Sequence, residues 1–231
     1  MSADGPVQNV TFPSNGNEAH GYLAIPPGGH GPGLIVIQEW WGLTTHIAAM
    51  TDRFAEAGFV ALAPDLFGGK TTHDAEEAGR LMQALPVDQA VTELSGALDY
   101  LLGLDATTGT RIGAVGFCMG GTFVLRLASR AGDRLAAAVA VYPVLAEIPD
   151  VSGVRAAVQA HFGADDDFLP ADAVEQLEAG LTRATGSPPE LHRYPAGHAF
   201  MNDENLLGTY DSEQTRIAWD RMVEFLHAQL D

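Results

Sequence analysis

Short apolar runs recur along this chain, separated by amphipathic stretches of helical length, and no other feature restricts its fold as far. Leu34-Ile35-Val36-Ile37, Phe59-Val60-Ala61-Leu62-Ala63, Arg111 to Phe117, Ala136 to Val141, Ala156 to Phe162 and Glu190 to Tyr194 read as strands. The most continuous of these lack polar alternation, as expected of strands covered on both faces. Between and after them the spacing predicts helices over Thr45 to Ala57, Asp74 to Leu85, Val87 to Leu102, Thr122 to Ser129, Ala171 to Ala184 and Glu213 to Gln229. Gly58 closes the first helix and Pro86 opens the third, the positions where glycine and proline suit helix ends. Strands alternating with helices of this length imply the α/β class, with a mostly parallel central sheet flanked by helices on both faces.

The N-terminal part departs from that rhythm. Val7 to Phe12 and His20 to Ile25 alternate around Pro13-Ser14-Asn15-Gly16-Asn17, which predicts an antiparallel hairpin, followed by a loop over Pro26 to Gly33. No internal repeat, low-complexity segment or dividing linker interrupts the 231 residues, so a single domain over 1–231 is expected.

Composition excludes several classes. With 46% hydrophobic and 18% charged residues the chain is globular, and no segment reaches the roughly 18 uninterrupted apolar residues of a membrane span. The formal charge is −18 and Lys70 is the only lysine, so the field repels nucleic-acid phosphate and anionic lipid. Neither nucleic acid nor membrane is therefore an expected partner. Residues 1–10 carry no basic and apolar leader pattern, so a cytoplasmic location is expected. The one cysteine, Cys118, cannot form an internal disulfide; it is either a buried, inert thiol or a chemically employed one.

Its surroundings favour employment. Gly116-Phe117-Cys118-Met119-Gly120 has the form Gly-x-nucleophile-x-Gly where a strand passes into a helix. Such a turn lifts the nucleophile above the sheet, with small residues where side chains would strike the neighbouring strand or helix. At a helix N-terminus, unpaired amides and the helix dipole favour a thiolate, and the Met119 amide is placed to meet an oxyanion.

A nucleophile of this kind needs an acid and a base on later strand-end loops. Gly163-Ala164-Asp165-Asp166-Asp167-Phe168-Leu169-Pro170 follows one strand and Pro195-Ala196-Gly197-His198-Ala199-Phe200 follows another. Both loops are expected at the carboxyl ends of strands, where open α/β sheets carry their sites. His198 would take the thiol proton and a carboxylate would orient it. The residues alone leave open which of the three aspartates serves, and whether they form a solvated acidic turn. They lack the ligand spacing of a calcium loop, so no metal is expected. The remaining histidines, at 20, 30, 46, 73, 161, 192 and 227, have no such context and default to structural or exposed roles.

Four stretches together resemble the dienelactone hydrolase family of the α/β-hydrolase superfamily: Gln38-Glu39-Trp40-Trp41-Gly42-Leu43, Ala63-Pro64-Asp65-Leu66-Phe67-Gly68-Gly69, Gly116 to Gly121, and the Asp166 and His198 loops. Cysteine at the turn, where most of the superfamily has serine, makes the match specific. The resemblance implies the α/β-hydrolase fold and a Cys118, His198, Asp166 triad working through an acyl-enzyme. It also implies a second oxyanion donor at the Trp40 amide, a gating role for Glu39, and no cofactor. Glu39 already stands out, because a carboxylate at the end of a buried apolar strand is costly unless partnered.

The family's two substrate-binding arginines are missing: the matching positions are Ala75 and Asn202, with Arg80 nearby in the same helix. An apolar pocket of Trp40, Trp41, Met82, Tyr142, Phe168 and Phe200 is the alternative expectation. The expected partner is a small-molecule ester or lactone, with a thioesterase, a broad carboxylesterase or a non-catalytic binder as the competing readings. Neither composition nor motif specifies an oligomeric state.

Overall fold

The computed structural model describes residues 7–231; residues 1–6, part of the segment read for a leader, lie outside the described residues. The chain forms two compact units, Met1–Ile112 and Gly113–Asp231. The first contains β1 (Val10–Ser14), β2 (Asn17–Ala24), β3 (Gly31–Ile37), α1 (Thr45–Glu56), β4 (Val60–Pro64), α2 (Ala75–Ala84) and α3 (Val87–Gly103). Strand β5 (Thr107–Phe117) carries the chain into the second, which holds α4 (Met119–Ala131), a 3-10 turn at Gly132–Arg134, β6 (Leu135–Val141), β7 (Ala157–Gly163), α5 (Ala173–Thr185), β8 (Glu190–Tyr194) and α6 (Ser212–Leu230).

In the first unit the strand order is β1-β2-β4-β3. The hairpin closes on Asn15 and Gly16, both at positive φ (55° and 80°), as a two-residue turn matched to strand twist requires. Pro13 sits in β1, which among the described residues pairs with β2 alone, an edge position that tolerates its missing N–H. The pairs β1–β2 and β2–β4 are antiparallel and β3–β4 is parallel. Every residue of β4 is buried, with α1 and α3 packed against it. Full burial of each of its valine and leucine side chains contributes about 1.5–3 kcal/mol.

In the second unit the order is β5-β6-β7-β8, and the β6–β7 and β7–β8 pairs are parallel. All of β6 is buried, with α4 and α6 against it. The mostly parallel α/β arrangement expected from the alternation of runs is the one observed.

Element boundaries moved where pattern was absent. Strand β5 begins at Thr107 rather than Arg111, and Thr108 to Arg111 are exposed, so no apolar run marks them. Helix α4 begins at Met119, directly after Cys118, in keeping with a helix that continues from that turn through Thr122 to Ser129. Strand β3 takes in Gly31, Pro32 and Gly33 from the expected loop. No helix among the described residues is long and apolar enough to cross a membrane.

Candidate active site

The site is built on the carboxyl ends of three strands of the second unit. Strand β5 ends at Phe117 and α4 starts at Met119, leaving Cys118 as the single connecting residue, at φ 54° and ψ −118°. A non-glycine residue with positive φ is strained and persists only where its surroundings hold it. Here the Cys118 amide donates to the Val141 carbonyl (3.0 Å), and its carbonyl accepts from the Gly121 amide (3.0 Å). Gly116 is required by close approach, since a Cβ there would lie 2.2 Å from the Gly120 carbonyl oxygen. The Met119 amide belongs to the first turn of α4, where helix geometry provides no internal acceptor.

The loop after β7 turns one aspartate of three inward. Asp165 and Asp167 are exposed, whereas the Asp166 carboxylate is 2% exposed. Its Oδ1 accepts the Phe168 amide (2.9 Å) and its Oδ2 accepts from His198 Nδ1 (2.8 Å). The loop after β8 brings His198 there, its side chain 4% exposed. The loop is tied down on its far side: the Thr209 hydroxyl donates to the His198 carbonyl, and the Thr215 hydroxyl at the start of α6 donates to the Phe200 carbonyl.

His198 also hydrogen-bonds Cys118. Burial works against a charged imidazole, but the hydrogen bonds to Asp166 and Cys118 and the charges of both prevail, and its pKa is pushed up to about 10.

Two aromatic side chains meet this imidazole, and a third packs behind one of them. Phe168 lies over the ring at 4.8 Å between centroids and is 49% exposed. Tyr142 meets His198 edge-on at 5.3 Å, and Phe200 packs on Tyr142 at 5.5 Å. Both are fully buried. Tyr142 is held at φ 35°, with its amide on the His161 carbonyl at 2.7 Å.

The other expected site residues belong to the first unit. Glu39 is 1% exposed beyond the end of β3, Trp40 is half-buried, and Trp41 is buried against it at 4.9 Å between rings. Met82 lies in α2 and is partly exposed. Arg80 is taken up on the surface of α2 by Glu76 (3.0 Å) and Glu77 (2.6 Å). Asn202 is buried and its Oδ1 accepts the Glu204 amide. Thr209 and the buried support beneath His198 were not legible in advance, because a hydroxyl that fastens a loop carries no periodicity. Among the described residues no group of three or more His, Cys, Asp or Glu side chains is arranged to hold a metal ion.

Residues 19–230 match the model of the dienelactone hydrolase family. The chain is 32% identical to protein usf of Aquifex pyrophilus, over 96% of this chain and 99% of that protein. It is 30% identical to a candidate carboxymethylenebutenolidase of Synechocystis sp., over 100% of both. Among solved structures, a candidate dienelactone hydrolase of Klebsiella pneumoniae superposes with a TM-score of 0.84 at 29% identity, over 97% of this chain and 98% of that one. The family match over nearly the whole length, joined to the α/β architecture, makes this chain a member of the dienelactone hydrolase family, carboxylic ester hydrolases of the α/β-hydrolase fold.

Proposed function

We propose that the chain hydrolyses ester or lactone bonds with Cys118 as nucleophile, His198 as proton carrier and Asp166 as the group that orients it. The observation that carries this reading is the double engagement of His198, which is bonded to Asp166 through Nδ1 at 2.8 Å and to Cys118. That leaves Nε2 to exchange a proton with the reacting groups.

Held by Asp166 and Cys118, the His198 imidazole takes up a proton readily, its pKa raised to about 10. The sulfur, its proton passed to His198, attacks the carbonyl carbon, and the new oxyanion rests against the Met119 amide at the head of α4. Collapse expels the alkoxide, which takes the proton from His198 and leaves an acyl-thioester. Water then attacks that carbonyl while His198 accepts its proton. The second collapse releases the carboxylic acid, and the departing sulfur takes its proton back from His198. In a lactone the alkoxide stays attached to the acyl group, and a hydroxy acid leaves at the end.

Arg80 is bound to Glu76 and Glu77, and Asn202 is spent on a backbone amide. The family's arginine pair has no counterpart at Ala75 and Asn202, and the exposed Phe168 ring offers apolar contact beside His198. A panel of short aryl esters, lactones and acyl thioesters, run on wild type and Cys118→Ala, tests the reading. The expected result is ester and lactone turnover abolished in the variant. Full activity of Cys118→Ala overturns the thiol mechanism, and a strong thioester preference replaces the ester assignment.

A further inference from the structure

Beneath the candidate site, β7 and β8 carry polar side chains on one shared face. Gln159 pairs in register with Glu190, His161 with His192, and Gly163 with Tyr194. Because residues two apart on a strand share a face, Gln159 and His161 lie beside Glu190, His192 and Tyr194 as a polar ladder that runs from buried positions to the exposed Glu190 on the edge strand. Gln159, His161 and Tyr194 are at most 1% exposed.

The hydrogen bonds in this ladder have one consistent direction. Gln159 Nε2 lies 2.9 Å from Glu190 Oε1, and an ionised carboxylate only accepts, so the amide nitrogen faces Glu190. Gln159 Oε1 therefore faces His161 Nε2 at 2.8 Å, and that ring nitrogen carries the proton. His161 Nδ1 is then an acceptor, and the Tyr194 hydroxyl 2.7 Å away donates to it. The same hydroxyl accepts from Arg221 of α6 (3.3 Å), whose guanidinium also lies 5.5 Å from the Tyr194 ring centroid. The chain of donors runs Arg221, Tyr194, His161, Gln159, Glu190, from a cation to an anion, an order in which each bond polarises the next. Burial, with the charges of His192 and Arg221, holds the His161 pKa well below its usual value, and burial raises that of Tyr194. Both effects preserve this arrangement of protons.

Tyr194 is also where the acid and base loops are laced together. Its carbonyl accepts the Ala164 amide (2.7 Å) and the Ala196 amide (2.8 Å), and the Asp165 amide donates to Ala196 (3.1 Å). Gly163 permits this approach, since a Cβ there would lie 2.5 Å from the Ala196 oxygen. The Tyr194 ring packs on Phe200 at 5.0 Å, Phe200 on Tyr142 at 5.5 Å, and Tyr142 on His198 at 5.3 Å.

We propose that Tyr194 is a positioning residue: its hydroxyl, clamped between His161 and Arg221, sets the relation of the Asp166 loop to the His198 loop. His161, Gln159 and Arg221 act through it. This rests on the reading of Asp166 and His198 given above, and the readouts are chosen so that the two can fail separately.

The test is Tyr194→Phe, which removes one oxygen and keeps the ring. Expected are a fall of about ten- to a hundredfold in kcat, the range that slight misplacement of a catalytic pair produces, with KM changed less than about twofold. The far-downfield proton resonance of His198 Nδ1 should shift or broaden, and the pH profile of Cys118 alkylation by iodoacetamide should be displaced. His161→Leu should behave in the same way. His161→Asn, which keeps an acceptor for the Tyr194 hydroxyl, should restore most of the kcat and the resonance. A Tyr194→Phe protein of lower melting temperature with wild-type kcat, resonance and alkylation profile overturns the proposal and leaves the ladder a packing device. If wild type cleaves no ester in the panel, the resonance and alkylation readouts still decide this point.

Discussion

His198 Nδ1 stands 2.8 Å from Asp166 Oδ2, and the two side chains are 4% and 2% exposed. In so little water the carboxylate determines which imidazole nitrogen carries the fixed proton. Asp166→Asn keeps the shape and removes that control, so kcat/KM for an aryl ester should fall by roughly 10²- to 10⁴-fold. Asp165→Asn and Asp167→Asn alter exposed side chains and should leave kcat/KM within about twofold. Steady-state kinetics on the three variants check this.

The raised pKa of His198 links charge to stability. Burial opposes the imidazolium, but Asp166 and Cys118 hold it protonated to about pH 10. A histidine whose folded pKa exceeds its unfolded value near 6.5 stabilises the fold fully below that value, and the contribution is lost as pH rises toward 10. Denaturant unfolding should show stability declining across that window. Cys118→Ala, which removes one source of the upward shift, should lower the His198 pKa seen by NMR titration and flatten the decline.

Glu93 on α3 behaves in the opposite sense. Burial, then the nearby Asp65 charge, raises its pKa from 4.5 to about 7. An acid that binds its proton more tightly when folded loses stability as pH rises from 4.5 through 7, the interval in which only the folded state keeps the proton. Glu93→Gln should therefore stabilise the protein at pH 8 more than at pH 5. The expected difference is about 1–2 kcal/mol, reduced for the solvent that reaches this side chain. Melting temperatures at the two pH values measure it.

Arg80 offers a negative control for substrate recognition. Its guanidinium is engaged with Glu76 and Glu77 on the exposed side of α2. Arg80→Ala should change kcat/KM by less than about twofold for neutral and carboxylate-bearing esters alike, and stability by less than about 1 kcal/mol. A selective loss on carboxylate-bearing esters would place the residue in substrate binding.

Much of this fold was legible because apolar continuity and helical spacing are local properties. Leu34 to Ile37 and Phe59 to Ala63 declare buried strands without knowledge of any neighbour, and all their side chains are buried. The turn at Cys118 is equally local, since Gly116 and the strand-to-helix passage lie within a few residues of it. The exposed start of β5 was hidden for the same reason: residues hydrogen-bonded at the surface need no apolar pattern.

The sequence by itself determined the order of strands and helices, the turn that presents Cys118, and the two loops able to supply an acid and a base. The residues alone left three aspartates open and the family resemblance pointed to Asp166; the tertiary structure turns that one inward, because neighbouring loop side chains point in different directions. It likewise buried Tyr142 and Phe200 and joined Tyr194 to His161 and Arg221. Those contacts span 27 to 33 positions of chain between hydrogen-bonded partners. They exist only once the parallel register of β7 and β8 and the packing of α6 have brought distant residues onto one face.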